Sequence, residues 1–297
     1  MRARARRRRR RRATTPTPSA TGEPRPVSSP ASSPKVTTAT LRAQKARRER
    51  ITALTAYDHL FAGLLDRAGV DVLLVGDSVA TVLQGRDTTV PVTMDQMVYH
   101  CELVGRAAQR ALVVGDMPFL SYQVCPEDAL RNAGRLLKEG LAEAVKLEGG
   151  AAFAPTVQRL VDAGIPVMGH LGLTPQSIHQ FGSYRARGQD ADEHRRIVDD
   201  ARALEQAGAF ALVLEKVPAE LGKETAAAVQ IPVIGIGAGP HVDGQILVTH
   251  DLLGLFTRFK PRFARRYLEL ADTIGKAVAD YCDDVRSGSF PDSSESY

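Results

Sequence analysis

Short apolar runs recur along the chain, most of them closing on an ionisable residue. Asp71-Val72-Leu73-Leu74-Val75-Gly76-Asp77-Ser78 is the clearest. Its consecutive aliphatic residues read as a strand buried on both faces, and Gly76 frees the backbone to deliver a carboxylate and a hydroxyl just past the strand's end. The punctuation returns at Leu112 to Asp116, Ala144 to Gly150, Val167 to His170, where the strand itself is expected to be short, Pro166 to Met168, and Ala211 to Glu215. Ile51 to Ala56, Pro232 to Ile236 and Gln245 to Val248 complete eight strand-like runs. Helical periodicity fills the intervals: His59 to Ala68 behind a capping Asp58, Thr93 to about Arg110, Pro126 to Glu139, Phe153 to Ala163, Asp192 to Gln206 and Pro218 to Val229. This alternation predicts an α/β fold, a (β/α)8 TIM-type barrel whose strand C-termini face one pocket. A doubly wound sheet is the structural alternative, but it does not naturally draw acids from so many successive strands around one point.

The remaining segments are polar or basic. Thr81 to Pro91 reads as a pocket-lining loop, and Leu171 to Gly188 as a long glycine-bearing loop suited to a lid. Leu41 to Arg50 reads as a short basic helix with order beginning near Thr40. Pro261 to about Arg286 reads as helical and Ser287 to Tyr297 as a loose tail. Residues 1–39, Arg-rich and then Ser/Thr/Pro-rich, have almost nothing to bury and are expected to form a disordered extension to a catalytic domain at 40–297.

Composition alters this picture in two places. The net charge of +5 hints at nucleic acid, but Met1 to Arg12 contains nine arginines, and without them the remainder stands at about −4. No nucleic-acid partner is therefore expected of the fold, and a solid arginine block lacks the interspersed apolar residues of a transit peptide. Cys101, Cys125 and Cys282 have no ligand-like spacing and point to a reducing cytoplasm. No apolar run approaches the roughly 18 residues that would span a membrane.

The strand ends carry the chemistry. Asp77, Asp116 and Glu148 are hard oxygen donors on neighbouring strands, and carboxylates crowded together repel one another unless a cation sits among them. With one histidine, His170, and no nearby cysteine, the set favours magnesium over zinc. Lys146 lies two residues before Glu148 and points to the same side, where it could take a substrate carboxylate. A substrate with adjacent oxygens, an α-keto acid, satisfies both metal and lysine. Glu215, on a more distant strand, is a candidate general base for the carbon beside the carbonyl. The pattern implies proton abstraction, then attack of a metal-stabilised enolate on an electrophile. A single strand-end acid is more often a helix cap or surface ion pair; five ionisable groups in one register reverse that preference. Gly235-Ile236-Gly237-Ala238-Gly239 reads as a tight turn, with phosphate binding the lesser reading.

Thr55-Ala56-Tyr57-Asp58, Val75-Gly76-Asp77-Ser78, Asp116-Met117-Pro118-Phe119, Val145 to Gly150, Gly169 to Gln176, Leu214-Glu215 with Val217-Pro218, Ile234 to Gly239, and Asp243 to Gln245 with His250-Asp251 together resemble the ketopantoate hydroxymethyltransferase family. The likeness runs from Leu41 to Pro291. It implies a barrel enzyme that moves a hydroxymethyl group from 5,10-methylenetetrahydrofolate to α-ketoisovalerate, giving ketopantoate for pantothenate and coenzyme A synthesis. By the same resemblance, Asp77 and Asp116 are the Mg2+ ligands, with Glu148 completing the shell through water. Asp77, Ser78, Asp116 and Lys146 contact the keto acid, and Glu215 accepts the proton; His170, which read alone is as well a buried hydrogen-bonding residue, is taken from its place among them as a further substrate contact. A homo-oligomer, a decamer of pentameric rings, is also implied. The alternatives are a magnesium-dependent barrel lyase or mutase of the isocitrate-lyase type, whose cysteine-bearing loop does not follow His170 here, and a nucleic-acid-binding protein using the arginine arm.

Overall fold

The computed structural model of the chain describes residues 34–297. The arginine block and most of the Ser/Pro-rich stretch, with the expectations placed on them, lie outside the described residues. α1 (Thr38–Arg47) precedes β1 (Ile51–Thr55), and α2 (His59–Arg67) leads to β2 (Val72–Val75). The short α3 (Val79–Val82) follows, then α4 (Met94–Ala107) and β3 (Leu112–Asp116). Next come α5 (Pro126–Lys138), β4 (Ala144–Glu148), α6 (Ala154–Asp162) and β5 (Val167–Gly172). The chain continues through α7 (Ile178–Phe181), α8 (Ala191–Gln206), β6 (Ala211–Glu215), α9 (Ala219–Ala228) and β7 (Val233–Ile236), closing with β8 (Gly244–Leu247), α10 (Thr249–Leu252) and α11 (Leu270–Ser287). The eight parallel strands form a closed barrel in sequence order, with β8 pairing back onto β1 through Ala53 and Ile246.

The near-continuous apolar strands are explained by two separate cores. Residues such as Leu73, Val113, Leu147 and Leu212 point outward and pack against the helices. Their neighbours Val72, Val114, Ala144, Met168 and Val213 point inward and fill the barrel. A strand buried on both faces has no polar alternation to show, so period-2 patterning is absent from the sequence although the side chains alternate.

Four elements differ from expectation. Order includes residues ahead of Thr40: Val36 joins Leu41 in the inner core, and Lys35 bridges to Glu143 at 2.7 Å. Thr37 caps α1 through a reciprocal capping box with Thr40, so the helix begins at Thr38 and plugs the barrel floor. The two residues Lys35-Val36 are too few to display any periodicity. The fifth strand extends to Gly172, taking His170 into the sheet, because its glycines interrupt the apolar run without interrupting the ladder. The helix after Thr93 stops at Ala107, since the buried Asp66 carboxylate accepts the backbone N–H groups of Gln109, Arg110 and Ala111. The C-terminal helix starts at Leu270, and the segment between α10 and α11 instead folds over the barrel mouth.

Candidate active site

All seven residues expected from the sequence line one cavity of 410 Å³ at the C-terminal ends of the strands. Register explains the convergence. Asp116 pairs with Lys146 across β3 and β4, and Glu148 with His170 across β4 and β5. Each continues an inward series, Val114 to Asp116, Ala144 to Lys146 to Glu148, Met168 to His170 and Val213 to Glu215, so the topmost inward residue of each strand is polar. Asp77 is out of that phase. Gly76 occupies the inward position, and a Cβ there would lie 2.6 Å from Ser78 Oγ; the glycine leaves room for the backbone to turn Asp77 into the cavity. The Asp77 N–H then donates to Asp116 Oδ2 at 3.0 Å, while Ser78 Oγ hydrogen-bonds the Tyr57 hydroxyl at 2.8 Å.

The buried charges are unevenly matched. Lys146 Nζ lies 2.8 Å from Asp116 Oδ1 and 3.4 Å from His170 Nδ1. Burial disfavours the Lys146 charge, but Asp116, Glu148 and Asp77 outweigh it and hold the ammonium protonated. Burial also opposes charge on His170, as does Lys146. Glu148 at 3.2 Å from Nδ1 and Glu215 at 3.4 Å from Nε2 nevertheless push the imidazole up to about 9. Burial alone would raise Glu148, yet His170, Lys146 and the Gln176 N–H hold it below the usual carboxylate range. Asp77 has less help: burial, then repulsion from Asp116 and Glu148, push it up to about 7.

Such a site is short of positive charge. Both Glu148 oxygens are engaged, Oε1 by His170 and Oε2 by the backbone N–H of Gln176 at 2.9 Å. Asp116 Oδ1 is buried and, despite the nearby ammonium, has no aligned hydrogen-bond donor. Among the described residues, no three His, Cys, Asp or Glu side chains are grouped to close around an ion unaided. The donors therefore suit a hard, partly hydrated divalent cation, which Asp77 and Asp116 are the residues placed to hold.

Glu215 is set by its backbone. Leu173 N–H donates to the Glu215 carbonyl at 2.9 Å, a contact made possible by Gly172 at φ +87°, where a Cβ would stand 2.2 Å from that carbonyl oxygen. The next residue, Lys216, has φ +50°, and its ammonium hydrogen-bonds the Tyr184 carbonyl. The loop after α7 is thereby tied to the end of β6. Tyr184 lines the cavity, and burial followed by the Glu215 charge raises its phenol.

Gln176 was not expected. Fully enclosed, its side-chain amide donates to Asp77 Oδ2 at 2.9 Å and to the Met117 carbonyl at 3.0 Å, and its Oε1 accepts from Tyr122 at 2.8 Å. Tyr122 Oη accepts in turn from Glu148 N–H at 3.1 Å. An uncharged amide in an aperiodic loop carries no sequence signal of the carboxylates it will bridge; only its place in the Gly169 to Gln176 motif drew notice.

A sequence profile of the family described as ketopantoate hydroxymethyltransferase matches residues 35–293. A protein of Salinibacter ruber named 3-methyl-2-oxobutanoate hydroxymethyltransferase is 57% identical over 264 residues, covering 89% of this chain and 100% of the relative. One of the same name from Chlorobaculum parvum is 53% identical over 276 residues, covering 92% and 100%. Among solved structures, phosphonopyruvate hydrolase superposes with TM-score 0.58 at 12% identity, covering 88% of this chain and 93% of that one. For 2,3-dimethylmalate lyase the TM-score is 0.54 at 18% identity, covering 86% and 88%. These two likenesses are of fold alone. The profile match and the identities above one half, over nearly the whole chain, place this protein in the ketopantoate hydroxymethyltransferase family and make it an enzyme of hydroxymethyl transfer.

Proposed function

We propose that the protein transfers the one-carbon unit of 5,10-methylenetetrahydrofolate to α-ketoisovalerate, forming ketopantoate for pantothenate and coenzyme A synthesis. One observation carries the reading: a buried cation, Lys146, and the carboxylate of Glu215, 3.4 Å from His170, face the same cavity as Asp77 and the unpartnered Oδ1 of Asp116. A magnesium ion held by Asp77 and Asp116, with Glu148 in its outer shell, would supply a Lewis acid for the oxygens of the keto acid. Lys146 takes the substrate carboxylate, and Ser78 hydrogen-bonds beside it. Glu215 removes the proton from C3, with the His170 imidazole standing beside it. Water opens the N5–CH2–N10 bridge, breaking both C–N bonds and releasing tetrahydrofolate and the carbon at the oxidation level of formaldehyde; C3 adds to that carbon, and the alkoxide formed takes back the proton held by Glu215.

Two further properties belong to this reading. A homo-oligomer, decameric by family resemblance, is supported by α11: no residue of it is buried, and Ile274, Val278, Tyr281 and Val285 expose one apolar stripe. A cytoplasmic location is supported by three cysteines that are all unpaired. Among the described residues no helix is long and apolar enough to cross a membrane. The test is ketopantoate formation from α-ketoisovalerate and methylenetetrahydrofolate, measured after chelation and again with magnesium. Absence of product from the metal-replete enzyme would sink the proposal.

A further inference from the structure

The cavity is larger than a small branched keto acid needs. Beyond the polar cluster it continues over β7 and β8 into an annex walled by Ile236, Val248, Phe256 and Phe263. The glycine-rich turn after β7 shapes this wall: Gly237 has φ +64°, and a Cβ on it would lie 2.9 Å from Phe263 Cδ1. The close approach that turn permits is thus made by an aromatic ring.

One acid stands in the annex. Asp251, on α10, lines the cavity half-buried, and among the described residues its carboxylate accepts no hydrogen bond. The base that bears on it, Arg266, is committed to Glu269 and the Phe256 carbonyl, both at 3.0 Å. Burial accordingly pushes Asp251 up to about 6. The Asp251 carboxylate faces the cavity beside aromatic side chains, and a flat ligand with two adjacent N–H donors would match both of its oxygens, as a guanidinium does. At the mouth, Arg86 and Arg258 also line the cavity. A Cβ on Gly85, which neighbours Arg86, would lie 3.9 Å from the Arg258 guanidinium, and neither arginine pairs with an acid among the described residues.

We propose that the annex is the subsite for the ring of the one-carbon donor. Asp251 accepts the 2-amino and N3–H pair of its pyrimidinone edge, Phe256 and Phe263 bound its faces, and Arg86 and Arg258 meet the carboxylates of its glutamyl tail. The assignment rests on the folate reading above and adds residues to it. It places the ring beside the acids of β2 to β6, so the methylene carbon enters from the β7 and β8 side.

The test uses the full chain and Asp251→Asn, which keeps the shape but replaces one acceptor by a donor. The KM for methylenetetrahydrofolate and the calorimetric affinity for tetrahydrofolate should weaken about 10- to 100-fold, while affinity for α-ketoisovalerate alone stays at the wild-type value. Tetrahydrofolate carrying a 2-methyl in place of the 2-amino group should bind the wild type as weakly as the variant binds tetrahydrofolate, and should lose nothing further in the variant. Arg258→Gln should erase the preference for a triglutamate over a monoglutamate tail. A wild-type folate KM in Asp251→Asn, or an equal loss of keto-acid affinity, would overturn the subsite. A wild type that forms no ketopantoate with methylenetetrahydrofolate would overturn the folate reading itself, and the subsite with it.

Discussion

His170 Nε2 lies 3.4 Å from Glu215 Oε2 with no aligned hydrogen bond between them, so the acid at the end of β6 faces a ring of β5 whose other nitrogen stands 3.2 Å from Glu148 Oε1. The carboxylate of Glu215 lines the cavity beside that imidazole, with neither oxygen taken by a hydrogen bond among the described residues. A carboxylate left free to accept at the cavity wall is what a general base needs.

If Glu215 takes the C3 proton, Glu215→Gln keeps the size of the side chain and much of its hydrogen bonding but cannot accept a proton. Exchange of the C3 proton of α-ketoisovalerate into heavy water, followed by NMR, should fall together with product formation by roughly 10²-fold or more. Calorimetric affinity for the keto acid should persist, since Lys146 is untouched. Exchange at the wild-type rate would shift the role to another group, His170 first.

The Asp77 and His170 shifts act on stability with one sign. Asp77 is held up to about 7 against roughly 4 when unfolded, and His170 up to about 9 against roughly 6.5. In both cases the folded state binds a proton that the unfolded state has released, so each contribution is lost as pH rises through the folded value. Glu148, shifted the other way, titrates only below that window. The Tm of the metal-free protein should fall between pH 5 and pH 9, and magnesium should restore it at pH 8 far more than at pH 5. Below about pH 7, apparent metal affinity should drop about tenfold per pH unit as a proton competes for Asp77. A pH-independent metal affinity would rule out Asp77 as a ligand.

Gln176 holds Asp77 through its side chain and Glu148 through its backbone. Gln176→Leu should leave the Glu148 contact and release Asp77 and the Met117 carbonyl. Metal affinity should weaken about 10- to 100-fold, the usual cost of losing an outer-shell partner. Gln176→Asn, too short to span the same gap, should not rescue it. Unchanged magnesium activation in both variants would show that the bridge is idle.

The floor of the barrel sets where the chain can be shortened. Deletion of residues 1–33 should leave kcat/KM nearly unchanged, because Lys35, Val36 and the Thr37 cap remain in place. Deletion through Ala39 removes a buried valine and a helix cap, worth together about 2–4 kcal/mol. It should lower Tm by roughly 5–10 °C. Equal melting of the two truncated forms would contradict the plug.

The sequence by itself determined the alternation of strands and helices and which residues top the strands. Both follow from local rules: an apolar run bounded by glycine or acid is a strand, and residues two apart share its face. Lys146 and Glu148 could be placed inward together on that ground, and Asp116, His170 and Glu215 follow the same count. Distances between strands are not local. Barrel closure decided that His170 would stand between Glu148 and Glu215, that Lys146 would reach Asp116, and that the three carboxylates would share a cavity without closing on a point. Loops escaped the reading for a related reason. Gln176, Asp251 and Phe263 lie where the chain has no period, and their partners are separated from them by tens of residues or belong to a ligand. What a polar side chain does there depends on which donors and acceptors the folded barrel leaves unsatisfied around it, and that balance exists only once the chain has closed on itself.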